Sequence, residues 1–145
     1  MKTIFRDSDR NALLGRIDAV VPSATPRWGS MNASQMLSHL AQSARMATGE
    51  LPSKPRRLAM RFTPLRQFFV YLLPVPKGIA TARELLPVDG AELEASRAEL
   101  LRLLDRIAQK QDAWPEHPAF GRMSRREWGV LLYKHFDHHL RQFGV

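Results

Sequence analysis

From Ser124 onward the chain admits one regular backbone, an α-helix, and that helix constrains what the rest can build. Ser124-Arg125-Arg126-Glu127 has the form of a capping box: the serine side chain satisfies the amide three residues on, and the glutamate reaches back to the serine amide. Trp128, Leu132, His135, His139 and then Gln142 or Phe143 follow at steps of four, three, four and three, the seam of a helix laid against a core. Three of the chain's five histidines, His135, His138 and His139, fall within five consecutive positions. His135 and His139 are one turn apart and project inward along the seam. His138 is one position off it, and Asp137 projects roughly opposite the gap between the pair.

A helix with an inward face needs partners, and the preceding residues supply them. Asp7 or Ser8 can cap a first helix running to about Val20, with Leu13, Leu14, Ile17 and Val20 or Val21 on its buried side, before Pro22 and Pro26 forbid its continuation. Trp28 anchors the turn that follows. Asn32-Ala33-Ser34-Gln35 repeats the capping-box pattern and opens a second helix, which Gly49 ends after about Thr48. Met36, His39, Leu40, Ser43 and Ala47 share one stripe of it, so His39 is an inward-facing polar residue on an apolar face. Ser43, Ala44 and Ala47 are small enough to let a neighbour approach closely.

Six prolines interrupt the chain between Leu51 and Pro87. Arg56 to Leu73 is basic and then strongly apolar, which predicts a helix kinked or split at Thr63-Pro64. Such a segment suits a membrane surface or a domain core. The core is preferred, because the domain needs the apolar area, with the arginines snorkelling at its edge. Pro74 to Pro87 reads as a long loop and a candidate lid. Asp89 or Gly90 begins a further helix to about Lys110, with Leu93, Leu100, Leu103 or Leu104 and Ile107 buried. Trp114 to Gly121 bridges to the last helix. With no alternation of strand period, the expectation is a single all-α domain over residues 1–145, an antiparallel bundle of four main helices plus a broken segment.

Composition narrows the functions open to such a bundle. The absence of cysteine excludes disulfides, thiolate zinc sites and cysteine nucleophiles. No apolar run reaches about 18 residues and the first residues lack a signal-peptide core, which suits a soluble cytoplasmic protein with no membrane partner. The net charge of +8 is carried mostly by arginines found in every segment. That reads as a solvated basic surface with no specific nucleic-acid partner, beyond incidental DNA binding at low salt.

For any one of the inward histidines, a core imidazole satisfied by a hydrogen bond is the ordinary explanation. Leaving each seam histidine buried and unpaired would cost about 1–3 kcal/mol. Two on one seam and His39 on a second helix make a shared metal ion the more economical account. A set of three imidazoles with no thiolate and no obvious fourth protein ligand describes an open site, completed by water or substrate, and it suits Zn, Ni, Fe or Cu. No His-Glu-x-x-His pattern is present and Asp137 points the wrong way to serve as base, so zincin-type peptide hydrolysis lacks support. No serine stands in a nucleophile-elbow context. His138 and Gln142, spaced by four, are candidates to orient a ligand or a substrate. His117, between Glu116 and Pro118, reads as a turn residue, and Trp128 as core packing.

Gln35-Met36-Leu37-Ser38-His39-Leu40, the run His117-Pro118-x-Phe120-Gly121-x-x-Ser124-x-x-Glu127-Trp128, and Tyr133-x-His135-x-x-His138-His139-Leu140-Arg141-Gln142-Phe143 together carry a family resemblance. The chain resembles the DinB-like superfamily over essentially its whole length, and within it a branch known only as a domain of unknown function. The resemblance implies a four-helix bundle of up-down-down-up type, frequently a homodimer, with a divalent transition metal (Zn, Ni or Fe) held at the positions of His39, His135 and His139. It also implies a metal-dependent transferase acting on a small-molecule substrate with a low-molecular-weight thiol, for example mycothiol or bacillithiol, in detoxification or stress response. The His138-His139 doublet offers two imidazoles for the last ligand position. The alternative class is a non-enzymatic helical bundle that binds protein or nucleic acid and whose histidine cluster is structural.

Overall fold

A computed structural model of the chain describes residues 1–78 and 83–145. The protein is all-α: α1 (Asp7–Asp18), α2 (Ala33–Thr48), α3 (Leu65–Gln67), α4 (Leu93–Gln109) and α5 (Arg125–Gln142), with 3-10 turns at Ala59–Arg61 and Arg83–Leu85. The described residues hold one isolated antiparallel bridge, between His117 and Gly121.

Both capping boxes close. The Asn32 side chain accepts from the Gln35 amide at 2.8 Å and the Gln35 side chain accepts from the Asn32 amide at 2.9 Å. At α5, Ser124 Oγ accepts from the Glu127 amide at 3.2 Å and Glu127 Oε2 accepts from the Ser124 amide at 2.7 Å. Gly49, at φ 87°, ends α2 in the left-handed conformation that a side chain would disfavour. The other two long helices begin elsewhere than expected. Neither Asp7 nor Ser8 caps α1; Arg6 occupies the N-cap without a side-chain bond, and Asp7 lies inside the first turn and pairs with Arg10 at 2.6 Å. Asp89 and Gly90 form a turn with Gly90 at φ 68°, and α4 starts only at Leu93.

The long helices share one core. α2 and α4 form the most extensive helix pair, packed through Met36, Leu40, Ala44 and Ala47 on one side and Leu100, Leu103, Leu104 and Ile107 on the other, all buried. Arg97 of α4 also satisfies the end of α1, donating to the Ile17 carbonyl and, at 2.6 Å, to that of Val20. Orphan carbonyls at a helix C-terminus are thus met by a cation from the neighbouring helix.

The N-terminal residues cross α5 at Gly129. The Ile4 amide donates to the Gly129 carbonyl at 3.2 Å and Ile4 is 1% exposed. A Cβ on Gly129 would overlap the Phe5 ring and Thr3 Oγ1. Alanine in a helix interior ordinarily gains about 1 kcal/mol over glycine, and Gly15 of α1, whose added Cβ would meet nothing within 4 Å, should follow that rule. At Gly129 the sign should reverse, with Gly129→Ala costing about 2 kcal/mol through overpacking. Urea midpoints for Gly15→Ala and Gly129→Ala that move the same way would refute this account.

Residues 51–78 depart most from expectation. The segment Arg56–Leu73 is not one kinked helix but the split alternative, shorter than expected: a 3-10 turn at Ala59–Arg61 and the cis Thr63–Pro64 bond precede α3, which runs on into a π-helical turn at Phe68–Leu72. Nor does it fill the core. Val70 is its one fully buried apolar residue, while Leu58, Phe62, Leu65, Phe68 and Leu72 are exposed. Polar contacts hold it to α5: Arg66 pairs with Glu127 at 3.0 Å, and the Lys134 ammonium donates to the carbonyls of Phe69, Val70 and Leu73. Burial holds the Lys134 pKa below its ordinary value. Within the expected lid, Pro74 to Pro87, residues 79–82 lie outside the described residues, and the 3-10 turn at Arg83–Leu85 packs against α2. Among the described residues no helix is long and apolar enough to cross a membrane.

Candidate metal centre

The capped starts of α2 and α5 set the rotational phase of each helix, and that phase brings His39 from one and His135 and His139 from the other to the same place. One ring nitrogen of each lies within 4.8 Å of the other two. His39 Nε2 and His135 Nε2 are 2.9 Å apart, and the His139 ring centroid lies 4.7 Å from that of His39 and 4.9 Å from that of His135.

Two neighbours fix which nitrogen carries the proton. His39 Nδ1 is 2.7 Å from the carbonyl oxygen of Leu85, which can only accept, so Nδ1 is the N–H and Nε2 keeps its lone pair. His139 Nδ1 is 2.8 Å from Gln142 Oε1, and the Gln142 amide nitrogen donates to the Trp28 carbonyl, which fixes the orientation of that amide. His139 Nδ1 is therefore also a donor, and His139 Nε2 is also a lone pair. A hydrogen bond from His135 Nε2–H can satisfy His39. It leaves His139 Nε2 with no donor among the described residues.

Burial favours neutral rings throughout. It lowers the His39 pKa, with the Leu85 carbonyl opposing, and brings His139 down to about 4, with further lowering from the positive charge of His39. His135 is held well below its ordinary value by burial first and then by the neighbouring imidazoles. All three are thus ready to act as neutral donors at pH 7.

A single ion fits this donor set. Bonds of about 2.0–2.1 Å in a tetrahedral arrangement place imidazole nitrogens about 3.4 Å apart, between the shortest separation here and the 4.8 Å limit. No carboxylate joins the cluster among the described residues, which leaves a neutral, all-nitrogen set. Asp137 is taken up by Arg16 of α1 at 2.7 Å and by Arg141 at 2.9 Å.

The remaining sequence candidates separate cleanly. Gln142 is buried and bonds His139 directly. His138 is not in the cluster: its half-buried ring packs edge-on against Trp28 at 5.5 Å, and the Lys77 ammonium stands 4.1 Å above that indole. Burial and then Lys77 lower the His138 pKa, with Asp137 opposing. Of the doublet, His139 is the imidazole that meets His39 and His135. His117 is a turn residue, its Nδ1 accepting from the amides of Ala119 and Phe120 at 3.1 and 3.2 Å. Trp128 is fully buried core.

Two participants were not foreseen. Leu85 contributes a backbone carbonyl, for which no side chain is a signal. Gly29, at φ 80°, lets the Trp28 turn close on Gln142: a Cβ there would fall 2.7 Å from the Gln142 amide nitrogen. The Trp28-Gly29 pair, an aromatic anchor followed by a residue free to adopt positive φ, was the available clue.

Fold and site together define an all-helical protein with a cluster of three neutral imidazoles, one buried and two half-buried, whose ring nitrogens converge. Residues 5–144 match the model of the family described as Protein of unknown function (DUF1569), and the chain belongs to that family. No curated protein and no solved structure matches the chain.

Proposed function

We propose that the chain is a metal-dependent enzyme of the DinB-like kind, an up-down-down-up four-helix bundle in which His39, His135 and His139 hold one divalent transition metal, Zn, Ni or Fe. We propose further that it is a transferase using a low-molecular-weight thiol. The observation that carries the metal reading is the pair of locked tautomers: Leu85 and Gln142 each take an Nδ1 proton, and so aim two Nε2 lone pairs at a third imidazole. The third imidazole can donate to only one of those lone pairs from the nitrogen it turns toward them, whereas a cation satisfies all three nitrogens at once. A metal held there supplies Lewis acidity, which lowers the pKa of a thiol or water placed beside it.

The chain's own groups have simpler tasks. Leu85 and Gln142 orient the donor rings and raise their basicity. Trp28, His138 and Lys77 form an adjoining cluster, where a cation over an indole can meet an anionic substrate group. Three protein donors leave positions for substrate, as a catalytic site requires.

Elemental analysis of tag-free protein purified without chelators tests the reading. About one equivalent of a transition metal is expected, followed by thiol-dependent transfer when thiol and electrophile pairs are screened. Gln142→Met should weaken metal affinity by about 10–100-fold, the usual consequence of losing a ligand's outer hydrogen bond. No metal after reconstitution with Zn, Ni and Fe would sink the reading and leave a structural cluster in a binding protein.

A further inference from the structure

Seven of the chain's 22 lysines and arginines, and none of its 14 carboxylates, lie between Leu51 and Arg83. The rest of the chain is therefore close to neutral, and the net +8 belongs almost wholly to this stretch. Among the described residues the same stretch holds five of the nine exposed large apolar side chains: Leu58, Phe62, Leu65, Phe68 and Leu72, with Phe62 73% and Leu72 69% exposed. Leu65, Phe68 and Leu72 follow at steps of three and four through a continuous helical run, so they share one side of it. The core does not need this surface, since Val70 enters it fully and Leu51 and Tyr71 in part, and none of the five exposed residues does.

The face is fixed to the body by its other side. Arg66 on Glu127, Lys134 on the carbonyls of Phe69 and Val70, and Arg61 on Glu116 and the Pro118 carbonyl use up the inward-turned groups. Lys54, Arg56 and Arg57 remain exposed, and among the described residues the nearest carboxylate pairing is Arg56 with Glu84 at 3.9 Å.

Charge decides what such a face can meet. A second copy would bring like charges together. A nucleic acid would use the cations and leave the apolar side chains in water. A bilayer surface with anionic headgroups accepts both. We propose that this face, residues 54–72, docks on an anionic lipid surface, with Phe62 and Leu72 entering the headgroup boundary and Lys54, Arg56 and Arg57 over the lipid phosphates. Contact of this kind is peripheral and reversible, and each cation near the surface adds to it until salt screens the attraction.

The full chain is sedimented with equimolar phosphatidylglycerol–phosphatidylcholine vesicles and with phosphatidylcholine alone. Binding is expected to the first and not the second, and to weaken at about 0.5 M salt. Phe62→Ser with Leu72→Ser should lower the partition coefficient at least about tenfold, and the charge variant Lys54→Glu with Arg57→Glu should do the same. Both pairs lie outside the core, and matching thermal melts confirm the fold. Phe62→Trp adds a readout that does not depend on those variants folding: its fluorescence should shift to the blue with the anionic vesicles only. The proposal is overturned if wild type ignores the anionic vesicles, or if the serine variant binds them as well as wild type, which would be attraction to any polyanion. It is equally overturned if sedimentation equilibrium shows a wild-type dimer that the serine variant abolishes, since a second copy then covers the face.

Discussion

His39→Ala is expected to abolish metal retention, with a loss of affinity exceeding the 10–100-fold typical of losing an outer hydrogen bond. His39 is the one donor that α2 contributes. Without it His135 and His139, one turn apart on α5, supply two nitrogens and no enclosure. The fold should survive, because alanine suits a helix interior and the change leaves Met36 and Leu40 in place. What is lost is the donor to the Leu85 carbonyl, a cost of about 1–2 kcal/mol that appears with or without metal. Thermal melts in metal and in chelator separate the two effects. The wild type should gain stability on adding metal, by mass action, and the variant should not. A variant that keeps a full equivalent of metal removes His39 from the site. Should His39→Ala fail to fold, His139→Ala, at the less buried edge of the cluster, makes the same test.

Acid should destabilise the metal-free protein through His117 as well as through the lowered imidazoles of the cluster, and the His117 share can be isolated. Its Nδ1 accepts from two backbone amides of the turn that leads into α5, its ring packs on Trp128 at 5.4 Å, and Arg61 stands nearby. Burial, and secondarily the Arg61 charge, bring its pKa down to about 3 from 6.5. Unfolded, the imidazole takes up a proton near pH 6.5; folded, it does so only near pH 3. Between these the unfolded state binds more protons, so stability is full above about 6.5, falls as pH falls, and stops falling on this account below about 3. At pH 4.5 the His117 share of the loss should be about 2–3 kcal/mol relative to neutral pH. His117→Asn keeps an acceptor for the turn amides and does not titrate. Urea unfolding of both proteins at pH 7 and pH 4.5 is the check, and an equal acid loss in the variant would exonerate His117.

The candidate site was legible in the sequence to the extent that short-range rules place side chains on helix faces. Capping boxes are made within three residues, so Asn32-Gln35 and Ser124-Glu127 could be read directly, and with the start of each helix came the phase of His39, His135 and His139. The starts of α1 and α4 could not be read that way. Arg6 and Glu92 cap without side-chain bonds, and plausible caps at Asp7 and Asp89 were taken up in a salt bridge and a turn. The seam favoured His139 over His138, which is one position off it, but left two imidazoles for the last ligand position, and the placing of α2 is what brings His139 to His39.

The sequence by itself determined the all-α class, the two capped helices and the inward direction of three histidines, because each follows from hydrogen bonds and periodicity within a few residues. Tertiary structure alone decided the rest. The tautomers of His39 and His139 depend on a carbonyl at Leu85 and on an amide that the Trp28 turn orients, and a carbonyl is common to every residue and so leaves no trace in the sequence. Whether the apolar run from Leu58 to Leu72 would be core or surface depended equally on what lies across from it. α1, α2, α4 and α5 fill the interior together with Ile4 and Val20, admit Val70, and leave Phe62 and Leu72 in solvent.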